Sequence, residues 1–384
     1  MSREPADGID ELRDAVRRLL RERSPLSSAH AAYDAGAGLD RDLWRRLGEL
    51  GLTGMAVPEQ LGGAGAGAVE VGVVVSELGR VLARTPYLSS AAVVTSVLAT
   101  VPAGAPAVTD TLRRLAAGDW IAAPALWEKA GSWEPRATSL RLSGVAGSAG
   151  RLTGTKIAVP FAADADVLLT FARDAAGDLH LLIVDRSAVA PAYAQSLDRT
   201  TPLYTVSFDG TPGTVVASGE GAERAARAAL NFGAVHRANE SVGSAQACLD
   251  AAVAYSLQRV QFDRPIGSQQ AVKHLCADVL VELELARGAA DAATTELTDL
   301  GSAPDGAVDA LASLAKSLAS AMFLSAADTA LHIHGGMGFT WEQDSHLFLR
   351  RARAASLDFG DVAFHRDRFL ASSPLTSTAK EEAR

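Results

Sequence analysis

The stretch that decides the fold runs from Arg237 to Asp278 and reads RANESVGSAQACLDAAVAYSLQRVQFDRPIGSQQAVKHLCAD. Small and apolar residues recur at helical spacing from Val242 to Leu257, and the same spacing resumes at Ala271. Pro265 and Gly267 interrupt the pattern between the two runs. The stretch therefore predicts one helix, a short break and a second helix. Its candidates for chemistry are an acid, a cation, an aromatic and an amide, namely Glu240, Arg259, Phe262 and Gln270.

Length and charge limit the class of protein. The 384 residues suffice for two or three lobes around a buried core. The formal charge of −9, from 36 basic and 45 acidic residues, argues against nucleic acid as a partner. Cys248 and Cys276 lie in helical patterns, which favours buried thiols in a reducing compartment. The first residues show no apolar signal core, and the uncharged run 86–109 is interrupted by Pro and Gly. We therefore expect a cytoplasmic protein without a membrane span.

The rest of the chain divides by pattern into three parts. Helical spacing dominates the first third, short runs rich in Val, Leu and Thr follow, and long helical patterns return at the end. We expect an N-terminal helical domain over 1–118, a small antiparallel β-barrel or β-sandwich domain over 119–219, and a C-terminal four-helix bundle over 220–384. The predicted fold class is mainly α with a central β domain.

Two motifs carry a resemblance to a known family. The first is R-x-Q-F-x-x-P-I-G-x-x-Q, from Arg259 to Gln270, and the second is HIHGGMGFTWEQDSHLFLRRA, from His332 to Ala352. In this order and spacing they resemble the acyl-CoA dehydrogenase family, in which FAD takes a hydride from an acyl thioester. The resemblance covers nearly the whole chain. It implies FAD as cofactor, an acyl-CoA substrate, an electron-transferring flavoprotein as acceptor, and an oligomer whose flavin site is shared between subunits.

The resemblance also implies which residues contact FAD. A guanidinium offers permanently charged, forked donors to a pyrophosphate, and glycines permit close backbone approach. The positions that match the family's FAD contacts are Arg259, Phe262, Gln270, His332, Gly335 and Gly336. His332 stands where the family often has Gln. The alternative for Arg259 is a surface salt bridge.

The catalytic base is expected to be a carboxylate. Many members carry a Glu in a Tyr-Glu-Gly segment, but Phe359 occupies that place here. Other branches place the Glu on the first helix of the bundle, where this chain has Glu240. We expect Glu240 to accept the proton, because burial raises the pKa of a carboxylate toward the working range. Glu342, which could instead cap the next helix, and Asp358 are the competing candidates.

The neighbours of Glu240 allow two interpretations. The small residues Ala238, Ser241 and Gly243 are expected to leave room for a bulky ligand. The alternative is that Glu240 pairs with Arg237 or His236 in the helix packing.

Two segments depart from the family pattern. Ala125–Glu128 replaces a Thr-Glu-Pro segment, and Ala158–Phe161 replaces a Trp-Ile-Thr segment beside the flavin ring. A third match, Gly154 with Lys156, lies between them in sequence. Similar losses occur in the branch that acts on bulky groups, such as the steroid-CoA dehydrogenases of actinobacteria.

The expected function is FAD-dependent dehydrogenation of a CoA thioester, with a steroid or branched acyl group. Glu240 would take the α-proton and FAD the β-hydride. Two alternatives stay open. One is a non-catalytic or half-site partner subunit in a hetero-oligomer, and the other is a flavin oxidase or monooxygenase on the same fold. The eight histidines lack metal-ligand spacing, so no metal site is expected.

Overall fold

The structure, a computed structural model, describes residues 4–35, 38–102, 105–298 and 305–373. The chain forms two compact units. The first unit comprises Met1–Ala35, Gly72–Ala83 and Ala234–Arg384; the second comprises Gly36–Val71 and Arg84–Gly233. The predicted domain limits at 118 and 219 stay a prediction.

The first third is helical, as the spacing predicts. Its helices are α1 (Glu4–Arg23), α2 (Leu26–Ala35), α3 (Arg41–Glu49), α4 (Ala68–Arg80), a π-helical segment (Tyr87–Val94), α5 (Thr95–Ala99) and α6 (Pro106–Ala116). Local chemistry sets where they begin. The side chain of Asp40 accepts a hydrogen bond from the Leu43 N–H at 3.0 Å and so caps α3. Pro106 begins α6, where its missing N–H has no cost.

The second unit contains a seven-stranded sheet. Its strands are β1 (Ala122–Ala125), β2 (Arg141–Ala146), β3 (Ala149–Pro160), β4 (Val167–Arg173), β5 (Leu179–Asp185), β6 (Ala192–Ala194) and β7 (Leu203–Ser218). They pair in the order β1-β4-β2-β3-β7-β5, and β5 also pairs with β4, so five strands close on themselves as a barrel. The expectation of an all-antiparallel sheet was wrong, because β4 pairs in parallel with both β1 and β2. The long connections from β1 and β2 to β4 allow this direction.

The C-terminal part is a helical bundle. Its elements are α7 (Glu220–Gln258), β8 (Val260–Gln261), β9 (Arg264–Pro265), α8 (Gln270–Thr298), α9 (Asp305–His334), α10 (Ser345–Leu357) and α11 (Val362–Ser372). Helix α9 packs against α8, α10 and α11. The helix, break and helix predicted from the opening stretch are confirmed. The break is a β-hairpin whose two turn residues, Phe262 and Asp263, have positive φ.

One helix in the described ranges, Gly306–Phe339, is long and apolar enough to cross a membrane. Of its most apolar window, 67% is buried against the rest of the protein. A core helix of a bundle has this property, and α9 is the helix on which three others pack.

Candidate active site

The hairpin between α7 and α8 presents the first motif to solvent. Arg259 is exposed and makes no ion pair with any residue in the described ranges. Phe262, at the tip, is 89% exposed. Gln270 begins α8, and its Nε2 lies 3.1 Å from Nε2 of His274. A cation, an aromatic ring and an amide are therefore all available to a ligand or to a second chain.

The glycine turn after α9 presents the second motif. Gly335 has a φ of +60°, and a Cβ added at Gly335 or at Gly336 would meet nothing within 4 Å. His332 is exposed. His334 is buried, its Nδ1 lies 2.7 Å from the Ala330 carbonyl oxygen, and its ring stacks on Tyr255. His334 is therefore structural.

These two surfaces fit the nucleotide half of FAD. An unpaired guanidinium suits a pyrophosphate, an exposed aromatic ring suits a base, and two open glycines let the backbone approach closely. No group of three or more metal-ligating side chains occurs in the ranges that the structure describes.

Glu240 lies in a buried charge cluster within the first unit. Its Oε2 accepts a hydrogen bond from Arg237, and its Oε1 accepts one from Nη1 of Arg351 at 2.6 Å. Arg237 also donates to Oδ2 of Asp358. Burial alone would raise the pKa of Glu240, but the charges and hydrogen bonds of the two arginines outweigh it and lower that pKa. The pairing with Arg237 that the sequence left open is thus present, and Glu240 is ionised at neutral pH.

The three small residues near Glu240 in the sequence pack against the protein itself. A Cβ at Gly243 would lie 1.9 Å from the Ser76 carbonyl oxygen. Ala238 and Ser241 are fully buried, and the Ser241 hydroxyl donates to the Arg237 carbonyl at 2.8 Å. The expectation that these small residues leave room for a bulky ligand was wrong. Their size permits close helix packing instead.

The competing carboxylates have different surroundings. Glu342 is exposed, and the residue that precedes α10 as its N-cap is Asp344 rather than Glu342. Asp358 has a side chain that is 31% exposed and holds Arg237 through Oδ2. Phe359, at the family's usual base position, is buried with a φ of +55°. Which carboxylate is the base stays a prediction.

A buried ion pair joins Glu128, in the first segment that departs from the family pattern, to Lys156 of the third match. Lys156 is fully buried and its Nζ donates to Glu128 Oε1 at 2.6 Å, to Thr138 Oγ1 at 2.9 Å and to the Leu126 carbonyl at 3.1 Å. Burial raises the pKa of Glu128, but the Lys156 charge and hydrogen bond outweigh this and lower it to about 2. The pKa of Lys156 is lowered by burial, against the opposing charge of Glu128. Trp127 pairs with Ile157 through a β-bridge next to this contact.

Two further buried ionisable residues near the bundle's charge cluster were not predicted. Lys316 on α9 is fully buried, and burial lowers its pKa to about 7. His365 on α11 is fully buried, and burial lowers its pKa to about 3. The sequence carried one signal for the lysine, because Lys316 falls between Ala312, Ala315 and Ala319 on an otherwise apolar helix face.

The fold and the two exposed motifs define a flavin-dependent dehydrogenase. Family models described as acyl-CoA dehydrogenase, N-terminal domain, and acyl-CoA dehydrogenase, C-terminal domain, match residues 7–132 and 219–372. The chain belongs to the acyl-CoA dehydrogenase family. It is an oxidoreductase of that family, with FAD as its cofactor. The expected enzyme class and the expected cofactor are both confirmed.

Three relatives show the branch. Acyl-CoA dehydrogenase IpdE2 of Mycolicibacterium smegmatis is 30% identical over 90% of this chain and 92% of its own length. The structure titled Tcur3481-Tcur3483 steroid ACAD G363A variant has a TM-score of 0.84 at 26% identity and covers 99% of both chains. The ChsE4-ChsE5 complex of Mycobacterium tuberculosis has a TM-score of 0.85 at 25% identity, over 97% of this chain and 100% of that one. The resemblance to the steroid-type branch is thereby confirmed.

Proposed function

We propose that this protein takes part in the α,β-dehydrogenation of a CoA thioester whose acyl group is a steroid fragment or another bulky group. One observation carries the proposal: a chain of this family presents its hairpin motif, Arg259 to Gln270, complete and exposed. The similarity to a protein titled a steroid acyl-CoA dehydrogenase supports the substrate class.

In this proposal FAD supplies the acceptor for the β-hydride. Arg259 binds the pyrophosphate through its charged, forked donors, and Gln270 adds an amide contact. Phe262 is exposed at the tip of the hairpin, which favours its insertion into a neighbouring subunit's nucleotide site. The open backbone at Gly335 and Gly336, with His332 beside it, would let the dinucleotide approach closely.

Glu240 is the proposed acceptor of the α-proton. The carboxylate is ionised, so it can receive a proton, but both of its oxygens are held by arginines. Proton transfer therefore requires one oxygen to leave Arg237 or Arg351. The lowered pKa also makes Glu240 a weaker base than a carboxylate buried among apolar groups.

The test is the anaerobic reduction of bound flavin by a panel of CoA thioesters. The loss of visible absorbance measures the reduction. Glu240→Gln should bind flavin and thioester but bleach about 10² to 10⁴ times more slowly, as expected for loss of a general base. Glu342→Gln and Asp358→Asn are the matched controls, since each removes one of the competing carboxylates. Full activity in Glu240→Gln would move the base to whichever control loses it.

A second candidate function is that of a partner subunit that completes another chain's flavin site. It is favoured by the arginine clamp on both oxygens of Glu240 and by Phe359 at the usual base position. It is also favoured by the loss of the hydroxyl side chains in Ala158–Phe161. The relative from Mycobacterium tuberculosis is a complex of two differently named chains.

Expression alone and with a candidate partner chain separates the two functions. A flavin that is bound and bleached in the chain alone supports a self-sufficient dehydrogenase. A chain without flavin, together with an active assembly that loses flavin on Arg259→Ala, supports the partner role. Arg264→Ala is the matched control, because Arg264 lies in the same hairpin but donates to Gln269.

We further propose that the electron acceptor is an electron-transferring flavoprotein and that the reaction takes place in the cytoplasm. Both cysteines are free, which fits a reducing compartment. The test compares reoxidation by such an acceptor with reoxidation by oxygen. Rapid oxygen consumption with a substrate that is not a thioester would favour the oxidase alternative instead.

A further inference from the structure

The turn between α10 and α11 is held in an unusual backbone conformation. Phe359 has a φ of +55° although it carries a side chain, and Gly360 has a φ of +110°. Such a conformation costs a non-glycine residue free energy and persists only where its surroundings impose it. A Cβ at Gly360 would lie 2.6 Å from Nε2 of His365, so only glycine fits there. We call residues 356–361 the α10–α11 turn.

Two buried donors bind the carbonyls of this turn. Nζ of Lys316 on α9 donates to the Gly360 carbonyl at 2.8 Å and lies 3.5 Å from the Ser356 carbonyl. Nε2 of His365 donates to the Phe359 carbonyl at 2.8 Å. Both side chains are fully buried, so solvent cannot replace these bonds. Carbonyls that would otherwise lack partners at the end of a helix are satisfied by a lysine and a histidine from two other helices.

The α10–α11 turn also carries a carboxylate that organises the charge cluster. Asp358 binds Arg237, and Arg237 binds Glu240. The charged groups that face Lys316 are Asp358 and Asp361 from the turn and Arg237 from α7, and the titratable imidazole of His365 on α11 also faces it. Burial lowers the pKa of Lys316 to about 7, while Asp358 and Asp361 oppose that shift. A buried amine is costly to retain, and an apolar side chain would fill the same space at a smaller cost.

We propose that Lys316 is a positioning residue, which fixes the α10–α11 turn so that Asp358 holds Arg237 against Glu240. The proposal rests on the proposed function, because its value for the reaction depends on the Glu240 carboxylate. Lys316 touches neither Glu240 nor Arg237 by a hydrogen bond; it acts through the backbone of the turn and through Asp358.

The experiment uses the whole chain, with its partner if one is required, and the variant Lys316→Met. Hydrogen exchange of the peptide that contains the turn should accelerate about tenfold, since its carbonyls lose their buried donor. Ser320→Ala is the matched control: it removes another partner of the same Nζ, at 2.9 Å, and leaves the turn intact. Its turn peptide should exchange at the wild-type rate.

A double-mutant cycle tests the path through Asp358. If Lys316 acts through the turn, the effects of Lys316→Met and Asp358→Asn on the unfolding equilibrium constant at pH 6 should not be additive. The constant of the double variant should differ from the additive expectation by about tenfold. In an active assembly, Lys316→Met should also move the acid limb of the kcat/KM profile upward by about one pH unit, because a positive charge near the carboxylates is lost. A residue that only fills space would not move that profile.

The Lys316 variant need not fold for the proposal to be tested. In lysine-labelled protein, the titration midpoint of Lys316 should fall in Asp358→Asn relative to wild type, since Asp358 favours the charged amine. An unchanged midpoint, additive effects or an unchanged exchange rate at the turn would each overturn the positioning role. Full activity in Glu240→Gln would overturn the base assignment alone, because the exchange and cycle measurements do not depend on activity.

Discussion

Removal of the Glu128 carboxylate should destabilise the protein severely, through the lysine left behind. In Glu128→Gln, Nζ of Lys156 keeps the Leu126 carbonyl and the Thr138 hydroxyl as partners but loses its counter-charge. The ammonium must then stay charged without its partner or lose its proton. Deprotonation at pH 7 of an amine whose ordinary pKa is 10.5 costs about 5 kcal/mol, which is an upper bound. We therefore expect a loss of about 3–5 kcal/mol in the free energy of unfolding.

The matched variants separate the charge from the space it occupies. Lys156→Met leaves Glu128, whose side chain is 17% exposed, and should cost about 1–3 kcal/mol. The double variant removes both charges and should cost less than Glu128→Gln alone. Lys129→Met, a change of the exposed neighbouring lysine, should stay within about 0.5 kcal/mol of wild type.

The assay is urea unfolding at pH 7, analysed as a double-mutant cycle. Wild-type stability should also fall as the pH drops below 4.5 toward 2, because the folded state holds Glu128 ionised while the unfolded state takes up a proton. After allowance for partial solvent screening this contribution is about 2 kcal/mol, and Glu128→Gln should lack it. Additive single effects below about 1 kcal/mol would refute the buried-charge argument.

Three further predictions concern the first unit, which contains the helical bundle. Gly243→Ala should cost about 2–3 kcal/mol in urea unfolding, since its Cβ would overlap the Ser76 carbonyl; a neutral effect would show that α4 and α7 separate easily. Burial lowers the pKa of His236 to about 4 and that of His365 to about 3. The stability that each neutral imidazole contributes is therefore full above pH 6.5 and is lost as the pH falls from 6.5 toward these values. At pH 5 each histidine should lower the free energy of unfolding by about 2 kcal/mol. His365→Asn should flatten this dependence, and an unchanged slope would contradict it. Phe262→Ala should leave the unfolding free energy within about 0.5 kcal/mol of wild type but weaken FAD binding, measured by flavin retention during dialysis; retained flavin would contradict the nucleotide contact.

The pairing of the buried charges could not be read from the chain. Glu240 and Arg351 are 111 residues apart, and no periodic pattern connects them. The same holds for Lys156, on β3, and Glu128, in the loop after β1. It also holds for Lys316 and the carbonyl of Gly360. The error about Gly243 has the same origin, because a small side chain permits either a ligand or a neighbouring helix, and only packing decides between them.

The sequence by itself determined the helical and β segments, the break between α7 and α8 and, through the resemblance that its two motifs carry, the family and the cofactor. These features depend on periodicity, on turn residues and on side chains such as Arg259 and Phe262 that lie close together in the chain. Tertiary structure decided the parallel pairing of β4, the arginine clamp on Glu240 and the buried lysines. The physical reason is that direction of pairing, burial and counter-charge are properties of contacts between distant segments, and the ionisation of a carboxylate follows from those contacts.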